Sequence, residues 1–140
     1  MALVGVLAGK LDKAMKPNVY AARFNSFSND TLILNGVEQW KKMKHRLRDC
    51  ANLKDDQGKY RYGCVIEIDI LNFYDNINKA LLHKKILRVC ETENDQAAAG
   101  FLYEFLHELS ENDSGLPQNS DASSLLASFY LNQGRCIHAL

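Results

Sequence analysis

The chain has 140 residues, 46% of them hydrophobic and 24% charged, with a formal net charge of +0. That composition suits one modest globular core. No apolar run reaches the ~18 residues of a membrane-spanning helix, and the short apolar start lacks a signal peptide's basic leader and cleavage pattern, so a cytoplasmic protein with no membrane partner is expected. The four cysteines, Cys50, Cys64, Cys90 and Cys136, are widely spaced and lack zinc-ligand spacing; Cys64 and Cys90 read as small buried hydrophobes. The zero net charge conceals an asymmetry. Residues 1–63 carry 12 Lys and Arg against 6 Asp and Glu, whereas residues 64–140 carry 5 against 11.

In chain order, residues 1–16 predict a short helix with Leu3, Val4, Leu7 and Leu11 on one face, stopped before Pro17. Residues 19–27 are ambiguous, 31–34 read as a short strand, and Asn35-Gly36 reads as a turn. A helix follows over about 37–51. Val37, Trp40, Met43 (or Lys44) and Leu47 form its apolar face, with Trp40 as a core anchor rather than a base-stacking platform. Its other face carries Lys41, Lys42, Lys44, Arg46 and Arg48, which reads either as a solvated face or as a track for a phosphate backbone. The Asp55-Asp56 pair lies in a turn and is not a catalytic pair.

Residues 62–69 alternate. Tyr62, Cys64, Ile66 and Ile68 point to one face and Gly63, Val65, Glu67 and Asp69 to the other, which predicts a strand ending on a carboxylate. Asp69 there is either a strand-end residue in an Asx turn or a magnesium ligand, since Mg²⁺ takes one or two carboxylates together with phosphate oxygens and water. Three helices follow. One runs over about 78–91 with Asn78 as N-cap, and one to about Leu109 capped by Asn94 or Asp95, with Ala98, Phe101, Leu102, Phe105, Leu106 and Leu109 as its apolar face. The last runs from Asn119 or Ser120 to Leu131.

Two stretches carry a family resemblance. Asp69-Ile70-Leu71-Asn72-Phe73-Tyr74-Asp75-Asn76-Ile77, and Gly115-Leu116-Pro117-Gln118 followed by a small-residue helix, resemble motifs A and B of reverse transcriptases. The flavour is that of the bacterial group II intron, retron and abortive-infection or defence-associated enzymes. The resemblance covers residues 60–131 and, more loosely, 19–49. It implies an α+β fold: a partial right-hand polymerase, mostly helical around a small antiparallel sheet, with 1–59 fingers-like and 60–140 a partial palm in one truncated domain.

The activity implied is RNA-directed DNA synthesis in an antiphage defence or retroelement system, by two metal ions about 4 Å apart. Asp69 would be the catalytic carboxylate and a Mg²⁺ ligand, with the Ile70 backbone facing the metal and the triphosphate. Tyr74 would pack under the nucleotide sugar, Phe73 would support the pocket, Gln118 would reach the nucleotide or template, and Arg23 would meet the triphosphate. Lys41, Lys42, Lys44, Arg46 and Arg48 would follow nucleic acid. Implied partners are an RNA template, a DNA primer and a dNTP, with self-association or a second protein supplying the rest of the palm.

Three departures stand against this pattern. Asn119 replaces the usual Gly after the motif B Gln, and Lys79 stands where the family often has His. No Tyr-x-Asp-Asp hairpin follows motif B within the 140 residues. The tail 134–140 reads as a frameshifted or truncated end. The chain is therefore expected to be inactive alone; the alternatives are a non-catalytic nucleic-acid- or protein-binding module derived from this fold, or a small α+β domain whose motifs coincide by chance.

Overall fold

Helices form where capping residues precede apolar positions at helical spacing. The computed structural model describes residues 2–28 and 30–132, so the tail 134–140 lies outside the described residues. Among these are five α-helices: α1 (Ala2–Ala14), α2 (Gly36–Ala51), α3 (Lys79–Leu87), α4 (Glu93–Leu109) and α5 (Asp121–Asn132), plus a 3₁₀ turn at Tyr74–Asn76. Asn78 caps α3 as its sequence position suggests, its side chain accepting from the Leu81 N–H at 2.7 Å. Asn35 is not a hairpin residue. Its side chain accepts from the Val37 and Glu38 N–H groups and so opens α2.

The core joins four helices. Val4, Leu7 and Leu11 of α1 meet Leu82 and Ile86 of α3, Ala99, Leu102 and Leu106 of α4, and Leu125, Leu126 and Phe129 of α5. Burying each such large side chain contributes about 1.5–3 kcal/mol. α1 belongs to the part expected to be fingers-like, yet it packs directly on α4 and α5 of the palm-like part. The broad apolar face expected of α4 is only half used, because Phe101, Phe105 and Leu109 stay exposed while Ala98, Leu102 and Leu106 are buried. No described helix is long and apolar enough to cross a membrane.

The expected α+β architecture is corrected to an all-helical one. Among the described residues strand pairing is confined to isolated bridges, Phe24 with Ile33, Lys54 with Tyr60 and Asn78 with Ser114, and no sheet forms. The alternating run 62–69 lies exposed, with Ile66 and Ile68 at 78% and 83%. Alternation buries a face only when a second strand and a covering layer are present, and the described residues supply neither. Cys64 shares this fate and is exposed rather than buried, while Cys90 is half-buried with its thiol donating to the Ile86 carbonyl.

α2 is corrected in the same sense. Its Trp40 is 54% exposed instead of anchoring the core, Val37 and Leu47 are exposed, and Gln39 is its buried residue. The helix has an apolar face but faces no apolar surface large enough to cover it.

α4 is capped one turn earlier in the sequence than Asn94 or Asp95 suggests. Thr92 is the N-cap, and Asp95 answers it in a capping box. Hydrogen bonding from the Thr92 hydroxyl is the main cause that lowers the Asp95 carboxyl from 3.8 to about 2; burial opposes it, and the Thr92 N–H, Lys10 and the Glu91 N–H add to it. A carboxyl lowered on folding binds fewer protons folded than unfolded, so its stabilisation is present above the unfolded value and is lost as pH falls through the folded one. Chemical denaturation of the wild type should therefore show stability falling between pH 3.8 and about 2, and Asp95→Asn should flatten that limb while lowering stability at neutral pH.

Candidate functional site

The two family-like stretches meet. The turn at 72–77 and the loop at 113–118 are laced by backbone hydrogen bonds: Gly115 N–H to the Ile77 carbonyl at 2.9 Å, Leu116 N–H to the Tyr74 carbonyl at 3.0 Å, and Lys79 N–H to the Asp113 carbonyl at 3.0 Å. Gly115 sits at φ +103°, a conformation that glycine adopts without strain, and a Cβ there would stand 3.7 Å from the Asp75 carbonyl oxygen. Asn119 takes φ +65°, the left-handed conformation that asparagine tolerates better than most residues. Leu116 is buried and fastens the loop to the core.

Side chains add to the seam. The Tyr74 hydroxyl lies 3.4 Å from Ser124 Oγ on α5. The Phe73 ring meets Tyr74 edge-on at 5.8 Å and lies 6.4 Å from Tyr130. Gln118 Nε2 donates to Asp75 Oδ1 at 3.4 Å. A cavity of about 510 Å³ opens beside this seam, lined by Asp75, Leu109, Ser110, Ser114, Gly115 and Pro117. Phe73, Tyr74 and Gln118 thus lie along one seam, joined through the 72–77 turn and the 113–118 loop.

Other expected site residues stand apart. Asp69 and Ile70 are exposed, and Asp69 Oδ1 accepts from the Ile70 N–H at 2.9 Å, a local turn contact. Among the described residues no hydrogen bond or ring contact ties either of them to Phe73, Tyr74 or Gln118. Arg23 is engaged elsewhere. Its Nε and Nη2 grip the Asp12 carboxylate at 2.7 and 3.0 Å, and its Nη1 donates to the Lys16 carbonyl at 2.9 Å. This bidentate pair pins the 19–24 segment to α1.

A two-metal centre needs more than one carboxylate. Asp69 offers one, Asp75 is hydrogen-bonded to Gln118, and among the described residues no three His, Cys, Asp or Glu side chains come together to hold a metal. The described residues do not fit a two-metal centre.

The basic residues of α2 are on the surface. Lys41, Lys44, His45 and Arg48 recur at helical spacing along one face, with Lys42 and Arg46 on the neighbouring row, all exposed. Among the described residues Lys41 is the one cation of this set in an ion pair, with Glu38 at 2.9 Å. Lys44 Nζ sits 4.3 Å from the Trp40 ring centroid.

Sequence reasoning missed the residue that holds the seam. Lys79 is 1% exposed, and its ammonium donates to the carbonyls of Ser110 and Asn112, each at 2.7 Å. A lysine in a helix's first turn opposes the macrodipole, and that mismatch was the available sign that it has a dedicated partner.

No protein-family model matches the chain, and no curated protein and no solved structure is significantly similar to it.

Two substitutions test the seam by thermal or urea unfolding. Lys79→Met strips the Ser110 and Asn112 carbonyls of a charged donor and should cost about 1–3 kcal/mol. Gly115→Ala forces a side chain into a left-handed position and should cost about 1–3 kcal/mol as well.

Proposed function

We propose that the chain is a nucleic-acid-binding module of the reverse-transcriptase type, from an antiphage defence or retroelement system and working in the cytoplasm. It holds the backbone of an RNA template or DNA primer along α2 and does not extend a primer by itself. The observation that carries this reading is that α2 spends almost none of its surface on the core while presenting Lys41, Lys42, Lys44, Arg46 and Arg48 to solvent. Neutralising phosphates with such cations releases counterions and supplies affinity without sequence preference.

A shallow groove of about 440 Å³ runs along the same helix, lined by Trp40, Lys41, Lys42, Lys44, His45 and Arg48. The exposed Trp40 ring offers a surface on which a base stacks, and single-stranded nucleic acid is bound by such pairings of rings with cations. A dNTP is the second ligand of this reading: its sugar would rest on Tyr74, which Phe73 supports edge-on, with Gln118 held nearby by Asp75. Turnover is left out because Asp69 is a single exposed carboxylate.

Fluorescence anisotropy with a single-stranded RNA over a salt series tests this. Four phosphate contacts give a log–log slope of about −3, and removing two of them should make it shallower by about 1.4. Lys44→Ala with Arg48→Ala should do so while leaving the thermal midpoint nearly unchanged, since both side chains are exposed. Absence of binding at low salt, or a slope indifferent to the double variant, overturns the reading. Primer extension by the isolated chain that is lost on Asp69→Ala would overturn its non-extending part.

A further inference from the structure

We propose that two copies of this chain associate through segment 59–69, paired antiparallel in the register that sets Cys64 opposite the Cys64 of the second copy. The chain's own fold stays helical; the ribbon exists only between copies. The proposal does not depend on nucleic-acid binding by α2.

The segment has an unused edge. Residues 53–61 form a tight hairpin in which the Asp55 N–H donates to the Lys59 carbonyl at 2.9 Å and the Arg61 N–H to the Leu53 carbonyl at 2.8 Å. In an antiparallel pair a residue's N–H and C=O point to the same side, and the side alternates along the strand. The polar groups of Lys59 and Arg61 are thus turned toward the hairpin, and in a ribbon extended on pairing those of Tyr60, Tyr62, Cys64, Ile66 and Ile68 would take the opposite edge. No described residue pairs with that edge.

The same ribbon would sort the side chains, with Tyr60, Tyr62, Cys64, Ile66 and Ile68 on one face and Lys59, Arg61, Gly63, Val65, Glu67 and Asp69 on the other. All eleven of these residues are exposed. A monomer therefore carries Tyr60, Tyr62, Ile66 and Ile68 in water on one unpaired segment, a template for adding another strand.

Charge selects the partner and the register. With Cys64 on the two-fold axis, Lys59 faces Asp69 of the other copy and Arg61 faces its Glu67, and each pair occurs twice by symmetry. The same register sets Tyr60 against Ile68 and Tyr62 against Ile66, aromatic on β-branched, and Gly63 against Val65. Shifting it by one pairing step in either direction leaves one kind of ion pair instead of two: Arg61 with Asp69 when Val65 is central, or Lys59 with Glu67 when Gly63 is. Registers that oppose odd with even positions mix the apolar face with the charged one. A parallel, in-register pair sets Lys59 on Lys59 and Asp69 on Asp69, which repel.

The start of the segment lies beside the C-terminal end of α2, across a groove of about 640 Å³ lined by Leu47, Cys50, Tyr60, Tyr62, Cys64 and Val65 among others. A lone two-stranded ribbon is marginal in water. Joined to residues 53–55 of each copy it becomes four strands.

The register is tested by exchanging charges. The wild-type chain should sediment as a dimer at high micromolar concentration. Arg61→Glu sets carboxylates against the second copy's Glu67, and Glu67→Arg sets guanidinium groups against its Arg61, so each variant alone should be monomeric. An equimolar mixture restores opposite charges at both pairs and should return to a dimer containing one copy of each. Both positions are exposed, so helical circular dichroism should be unchanged in each variant. A second readout needs no charge change: with Cys50, Cys90 and Cys136 replaced by Ser, a short bismaleimide should join Cys64 to Cys64 in the native chain and not in urea. A monomeric wild type, single variants that associate like the wild type, a mixture that stays monomeric, or Cys64 chains that cross-link equally in urea would each overturn the proposal.

Discussion

A buried ammonium governs how this molecule holds together. Lys79 sits at the first position of α3 and donates to two carbonyls at the far end of α4, those of Ser110 and Asn112. The Ser110 carbonyl stands at the C-cap of α4 and the Asn112 carbonyl lies in the loop beyond it, so the lysine serves as a cap supplied from another helix and holds the loop that follows. From that anchor the chain turns through Asp113 and Ser114 to Gly115 and Leu116, whose N–H groups bond back to the Ile77 and Tyr74 carbonyls. A charge this deep is tolerated only with close partners, and here the partners are the backbone of the loop that carries Pro117 and Gln118. The family-like turn and the family-like loop meet because α3 and α4 are tied at this point.

The molecule is divided between an apolar interior and an exterior that bears most of the chemistry. α1, α3, α4 and α5 enclose the core, whereas α2 and the run from Lys59 to Leu71 lie outside it. The exterior parts carry the cationic row, the tryptophan and Asp69. The interior-facing seam carries Tyr74, Phe73 and the loop glycine. Arg23 belongs to neither group of chemistry, because its guanidinium is committed to Asp12.

What could be read from the residues alone depended on whether the signal was local. Asn78 as a cap, the stop before Pro17 and the apolar face of α1 are all properties of neighbouring residues, and all of them stand. The family-like stretches were legible as motifs, and their backbone contact follows from chain geometry around α3 and α4. The sheet and the burial of Trp40 were not legible, since each depends on a distant surface. Alternation at 62–69 states which face a strand would bury and is silent on whether a partner exists; the same holds for the apolar stripe of α2. The Thr92 cap was passed over for Asn94 and Asp95 because several capping residues stand in a row there. Lys79 was read as a departure from a family pattern, when its surroundings make it a structural member in its own right.

One consequence of the placement of α2 concerns how such a chain can change. A helix whose side chains support no core carries little of the folding free energy, so charge can be added to it or removed from it at small cost to the rest of the molecule. Drift along Lys41 to Arg48 then tunes what the surface attracts, while selection on α1, α3, α4 and α5 independently preserves the scaffold. Changing the surface charge and retaining the fold become problems that evolution, or an engineer, can solve one at a time.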